Sequence, residues 1–263
     1  MLHSPLRYPG GKSRAVDVLA KFVPEGTREV LSPFFGGGSF ELYCLDNLKA
    51  TIYGHDIYKP LIYFWKSVVE NNDELIDAVS SYLPLVDKEH YYMLQDMLKL
   101  SLPRQLLGIS EYFFVLNRCS FSGNVNGGFT SYRINITGQN PRFNKAAIER
   151  LRVFKDAPKL FVSCCSFEKT LRNYPDEVFT YLDPPYLIKD KIYSHQSIDY
   201  LLLNRLLKAR HGPWLLSYND TPEIRELYQD FHIVTSAKWN YGMNKSKHSN
   251  ELLILSHELS EEL

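Results

Sequence analysis

Apolar residues along this chain fall into two kinds of run. Short and nearly unbroken ones, "REVLSPFF" (28–35), "ATIYGHDI" (50–57), "KLFVSCC" (159–165), "EVFTYLD" (177–183), "PWLLSYN" (213–219), "HIVTSA" (232–237) and "ELLILS" (251–256), read as strands covered on both faces. In others, "SFELYCLDNL", "KPLIYFWKSVVEN", "SIDYLLLNRLLKA" and "PEIRELYQ", the apolar positions recur at helical spacing. Strand and helix alternate, which predicts an α/β fold with a mainly parallel sheet and helices on both faces. The alternation breaks once. From about 73 to 116 the pattern is helical with no strand, and from Asn117 to Asn144 it turns polar and rich in Asn, Ser and Gly. The expected organisation is one domain made of 1–72 and 156–263, interrupted by a helical and loop-rich insertion at 73–155.

Composition adds a constraint and a local exception. With 263 residues and 44% hydrophobic content the chain has enough apolar material for a core of its own. Its 30 basic and 30 acidic residues cancel overall. Between Asn117 and Leu160, however, eight basic side chains (Arg118, Arg133, Arg142, Lys145, Arg150, Arg152, Lys155, Lys159) face two acids (Glu149, Asp156). That excess suits an anionic polymer. Four cysteines without a CxxC pair, and no His or Cys cluster at zinc spacing, suggest a reducing compartment and no metal. No signal peptide and no apolar run of membrane-spanning length is evident, so the expectation is a soluble, cytoplasmic protein.

Three motifs carry candidate chemistry. "FFGGGSF" follows the first strand and opens the first long helix; Gly36 and Gly38 fit the first two positions of the dinucleotide fingerprint GxGxxG, but Glu41 stands where the third glycine belongs. A nucleoside fits better than NAD. Asp56, eighteen residues past Gly38 at the end of the second strand, is placed for ribose hydroxyls, the bland alternative being a helix cap. "RYPGGKSR" lacks the glycine of a phosphate loop, since Leu6 occupies that position; Lys12 is left to pair with a small carboxylate, with Tyr8 beside it. "YLDPPY" ends a strand with two prolines, which cannot donate backbone hydrogen bonds, between an acid and an aromatic. Gly36, Asp56 and Asp183 fall at carboxyl ends of strands, where open α/β sheets bind ligands.

Together and in this order, "RYPGGK", "FFGGGS", "YGHDI" and "YLDPPY" resemble the DNA adenine methylase family, and the similarity continues through "NRCSFSG", "PRFN", "LLSYND" and "NELLIL". The resemblance implies a Rossmann-like methyltransferase sheet, S-adenosyl-L-methionine as cofactor and double-stranded DNA as partner, with no obligate protein partner. It implies Tyr8, Lys12, Phe35, Gly36, Gly38, Ser39, Asp56 and Asp183 around the cofactor. Cys165, Ser166 and Phe167 stand where that family usually has an acid and an aromatic at the cofactor's adenine, which leaves the Ser166 hydroxyl and the Phe167 ring to bind it. It implies Asp183, Pro184 and Tyr186 as the catalytic corner and adds Arg7 to the DNA-facing residues that the basic, Asn-rich insertion offers, Asn117, Arg118, Arg133, Arg142 and Lys145. The insertion is then the target-recognition element. Two alternatives stay open: an RNA or protein amide methyltransferase, because such a corner suits any planar amine or amide, and a DNA-binding relic without catalysis.

Overall fold

The computed structural model describes residues 2–101, 106–130, 142–155, 157–186, 198–235 and 251–262. Seven strands, β1 (Glu29–Ser32), β2 (Thr51–Asp56), β3 (Leu160–Cys164), β4 (Phe179–Leu182), β5 (Trp214–Asn219), β6 (His232–Val234) and β7 (Glu251–Leu255), form one sheet in the order β3-β2-β1-β4-β5-β7-β6. The first five run parallel. β7 is antiparallel to both β5 and β6. β1 is shorter than the apolar run 28–35 because Pro33 has no N–H to continue the ladder. The carbonyl ends of the five parallel strands therefore lie along one rim.

The sheet is covered twice. Leu215, Leu253 and Leu255 belong to one apolar cluster, and their sequence neighbours Leu216, Leu252 and Ile254 to another. That is the period-two alternation of a sheet buried on both sides. The first cluster contains residues of α1 (Val16–Leu19), α2 (Ser39–Asn47) and α3 (Lys59–Glu70). The second takes in α8 (Phe167–Asn173), α9 (Tyr200–Lys208) and α10 (Pro222–Leu227). α8 lies between β3 and β4, where the apolar pattern predicted no helix; its seven residues hold few apolar positions, but Ser166 accepts the Lys169 amide and caps it. A last helix, α11 (His257–Glu262), closes the chain.

Residues 73–155 supply α5 (Lys88–Ser101), α6 (Leu106–Cys119), α7 (Lys145–Arg152) and most of α4 (Asn72–Ser81). They pack on α3 through aromatic side chains. Phe64 stacks on Phe114 of α6 with ring centroids 5.5 Å apart, and Trp65 meets Phe154 at 5.9 Å. Each fully buried ring of this kind is worth about 1.5–3 kcal/mol, so these helices are fixed to the sheet layer rather than tethered to it. Among the described residues no helix is long and apolar enough to cross a membrane.

Candidate active site

In this strand order β1 has β2 on one side and β4 on the other, and the chain leaves β1 toward β2 but leaves β4 toward β5. The loops after β1 and β4 therefore part company and open a crevice between them. The glycine turn follows β1 and the Asp183–Tyr186 corner follows β4. Both line one cleft of about 530 Å³, together with Tyr8, Lys12, Asp56 and Phe167.

On the β1 side the turn is held by two side chains. Asp56 accepts the Gly36 amide (3.1 Å) and the Tyr58 amide (2.9 Å), while Trp65 of α3 donates its indole N–H to the Gly36 carbonyl (3.0 Å). Asp56 thus does what its bland reading assigned, bracing backbone at a helix start, and also lines the cleft. Its burial raises the pKa of the carboxyl above the usual range. The glycines are required by sterics: Gly36 and Gly38 have φ of +49° and +65°, and a Cβ on Gly36 would lie 2.8 Å from the Tyr8 ring. Phe35 sits under the turn, 2% exposed, in the space left by Gly54, whose added Cβ would come within 2.5 Å of that ring. Ser39 begins α2 at the cleft wall, where a helix start offers amides without intrahelical partners. Phe167 stacks on Phe34 at 5.6 Å, and the Ser166 hydroxyl is engaged as the α8 cap.

On the β4 side the corner is wired into a buried polar cluster. Lys12 Nζ donates to both oxygens of Asp183 (2.6 Å each) and to the Tyr186 hydroxyl (3.1 Å), and lies 3.9 Å from Glu251. The lysine therefore meets a carboxylate, as its sequence position suggested, but that carboxylate belongs to the corner itself. Ser217 of β5 also donates to Asp183 (3.0 Å). Tyr186 donates its hydroxyl to Glu251, and its ring stacks on Tyr218 at 5.7 Å. Burial, with the charges of Asp183 and Glu251, holds the Tyr186 phenol well above its ordinary pKa, so it stays a donor. The Pro185 carbonyl is taken by the hydroxyls of Tyr218 (3.3 Å) and Tyr200 (3.4 Å). Glu41, the residue in place of the third glycine, is buried beside this cluster with Ser32 donating to it at 2.6 Å. Burial pushes its carboxyl up to about 7.

Sequence reasoning missed Trp65, Glu41 as a functional group, Ser217 and Glu251. Glu41 was seen only as the break in the glycine fingerprint, and Ser217 and Glu251 only as members of "LLSYND" and "NELLIL". The residues expected on DNA divide into two sets. Asn117 is 1% exposed and grips the Arg7 backbone through N–H and C=O (2.9 Å each) and the Gly123 carbonyl (2.8 Å). Arg118, 9% exposed, donates to the carbonyls of Arg142 (2.8 Å) and Pro5 (3.3 Å), and Arg7 to that of Ser120 (2.8 Å). Their donors thus fasten "RYPGGK" to the end of α6. Lys145 is exposed at the start of α7, Arg142 is half-buried, and Arg133 lies outside the described residues. So does the basic stretch 240–250. Burial, then Arg150, Arg7 and Arg142 nearby, lower the Arg118 pKa to about 10. The guanidinium groups crowd one another.

The model of the D12 class N6 adenine-specific DNA methyltransferase family matches residues 8–243. A type II methyltransferase, M1.LlaDCHI of Lactococcus lactis subsp. cremoris, is 25% identical over 92% of this chain and 90% of its own length. Type II methyltransferase M.MjaIII of Methanocaldococcus jannaschii is 26% identical over 73% of this chain and 72% of its own. A DNA adenine methylase of Haemophilus influenzae is 26% identical over 70% and 64%, respectively.

Proposed function

The chain belongs to the D12 class N6 adenine-specific DNA methyltransferase family and is an adenine-specific DNA methyltransferase, and from that premise we propose that its cleft holds S-adenosyl-L-methionine beside a target adenine turned out of double-stranded DNA. The observation that carries this reading is the meeting of the glycine turn and the Asp183–Tyr186 corner in one cleft. The residues present fit the cofactor. Gly36 and Gly38 let the backbone turn close over the Tyr8 and Phe35 rings at the cleft wall, Asp56 offers a carboxylate for ribose hydroxyls, and Phe167 offers a ring for a base. When bound, the cofactor supplies a methyl group on a positively charged sulfur. Lys12, Asp183 and Glu251 bring one ammonium to two carboxylates, so the surroundings favour that charge.

The exocyclic amine of adenine is a weak nucleophile because its lone pair is spread into the ring. Asp183 and the Pro184 carbonyl each accept one amine hydrogen, which returns electron density to nitrogen and aims the lone pair at the methyl carbon. When bound, the cofactor would give its methyl to that nitrogen and keep the carbon–sulfur bonding pair, and the surplus nitrogen proton would pass to solvent, so no strong base is required of Asp183. Two prolines keep the acceptor pair still, and Tyr218 and Tyr200 bonded to the Pro185 carbonyl stiffen the turn further. Tyr186 stacks on the base, which must leave the duplex to reach this depth. Residues 73–155 act as the target-reading part: Lys145 and Arg142 hold phosphates, Arg133 is a base-reading candidate, and Asn117, Arg118 and Arg7 place the "RYPGGK" segment for both partners. The test is incubation with methyl-labelled cofactor and duplex DNA, single-stranded DNA or RNA, followed by nucleoside analysis. N6-methyladenine from duplex DNA is expected; label confined to RNA or to another base would overturn the reading.

A further inference from the structure

In the arrangement described above, Asp183 is already engaged. Lys12 donates to both of its oxygens and Ser217 to one, which occupies most of the roughly four acceptor sites of a carboxylate. An acceptor shared with an ammonium is also a poorer acceptor for an amine. Lys12 is 4% exposed, so it cannot simply let go: a buried ammonium without a counter-charge is strongly disfavoured. It needs a second carboxylate within reach. Glu251 provides one at 3.9 Å, anchored where β7 pairs with Asn219 of β5. Closing that gap to a charge-assisted hydrogen bond takes a movement of about 1 Å. Tyr186 bridges the two partners, accepting from Lys12 at 3.1 Å and donating to Glu251.

We propose that Glu251 is a positioning residue that takes Lys12 away from Asp183, freeing the Asp183 carboxylate for the amine of the target base. The proposal rests on adenine methylation at this corner. Glu251 touches neither base nor methyl donor; it acts by giving the buried lysine somewhere else to be. Its carboxylate is fixed on a strand, so the lysine is the part that moves. Glu251→Gln keeps an acceptor for the Tyr186 hydroxyl and the shape of the side chain but removes the charge that draws Lys12. Lys12 then stays on Asp183.

The experiment measures single-turnover methyl transfer to duplex DNA at saturating cofactor for wild type, Glu251→Gln, Lys12→Met and the double variant, with circular dichroism and cofactor binding measured in parallel. Glu251→Gln is expected to lose about tenfold to a hundredfold in rate while binding DNA and cofactor as before. In the absence of Lys12 the glutamate has nothing to relocate, so Lys12→Met and the double variant should turn over at the same rate. A Glu251→Gln rate equal to wild type overturns the proposal, and so does a further fall from Lys12→Met to the double variant, which marks Glu251 as a purely structural residue. Should Glu251→Gln fail to fold, the Lys12→Met pair decides alone, and misfolding of the double variant as well counts against the proposal. Failure of the functional reading is separate: wild type would then yield no N6-methyladenine.

Discussion

Lys12 and Arg118 are both buried cations held by segments far away in sequence, and they are treated differently. Lys12 meets carboxylates, Asp183 from the end of β4 and Glu251 from β7. Arg118 meets main-chain carbonyls, and the charged groups acting on it include three other arginines. The charge of the first is compensated where it lies. That of the second is hydrogen-bonded with no carboxylate partner among the described residues, an arrangement that on the proposed function suits an outside anion. On the proposed function the corner serves internal chemistry and the arginine cluster an external polyanion, and residues 7–12 tie one to the other.

The severest way to break the corner is Asp183→Ala. It removes one of two amine acceptors from a sheltered site, and the expected loss in methyl transfer is about a hundredfold or more. Lys12 still has Glu251 as counter-charge, so the fold should survive. Single-turnover rates alongside circular dichroism check this; near-normal turnover would remove Asp183 from the mechanism. Gly123→Ala attacks the tie between the regions. Gly123 has φ +82°, and a Cβ there would fall 1.6 Å from the Arg7 carbonyl oxygen, so segment or loop must shift. A stability loss of roughly 2–4 kcal/mol is expected, with weaker binding of DNA and cofactor together. Urea denaturation and two binding titrations measure it, and an effect on DNA alone would show that residues 7–12 do not link the sites.

How much of this the sequence revealed depended on whether a group's role is local. The seven strands, the glycine turn and the proline corner were legible because period-two burial, a left-handed turn and a doubled proline leave marks in consecutive residues. Asp56 was legible for the same reason, since it ends a strand. Glu251 and Ser217 were not: each serves Asp183 or Tyr186 from a separate strand, and only the β4-β5-β7 order brings them together. Asn117 and Arg118 were noticed as polar residues, yet their burial follows from α6 packing on α3, which no local pattern states. α8 escaped because seven residues hold too little periodicity to read.

Glu41 separates the two regions on pH. The unfolded chain gives up this proton near 4.5 while the folded protein keeps it to about 7. Stability therefore falls as pH rises between those values, and the full penalty, roughly 3 kcal/mol, stands above 7. Glu41→Gln mimics the neutral carboxyl and still accepts from Ser32. It should be more stable than wild type at pH 8 by about that amount and indistinguishable from it near pH 4.5. Denaturant midpoints at the two pH values decide; an equal gain at both would point to packing rather than ionisation.

The smallest effect sharpens the comparison most directly. A cation that neutralises a DNA phosphate releases counterions, so removing it lowers the salt dependence of binding by about one unit of slope in log K against log[salt]. Arg142→Ala and Lys145→Ala should each do so, weakening all duplexes alike because phosphate contacts carry no sequence information. Lys12→Met should leave the slope unchanged, since its charge is balanced by Asp183 and Glu251 and releases no counterion. Fluorescence anisotropy of a labelled duplex over a range of salt gives all three slopes. If Lys12→Met changes the slope as much as Lys145→Ala does, the corner is not neutralised in place and the division between the two regions fails. If neither Arg142→Ala nor Lys145→Ala changes it, phosphate binding belongs to other residues and the positive field around Arg118 serves something other than DNA.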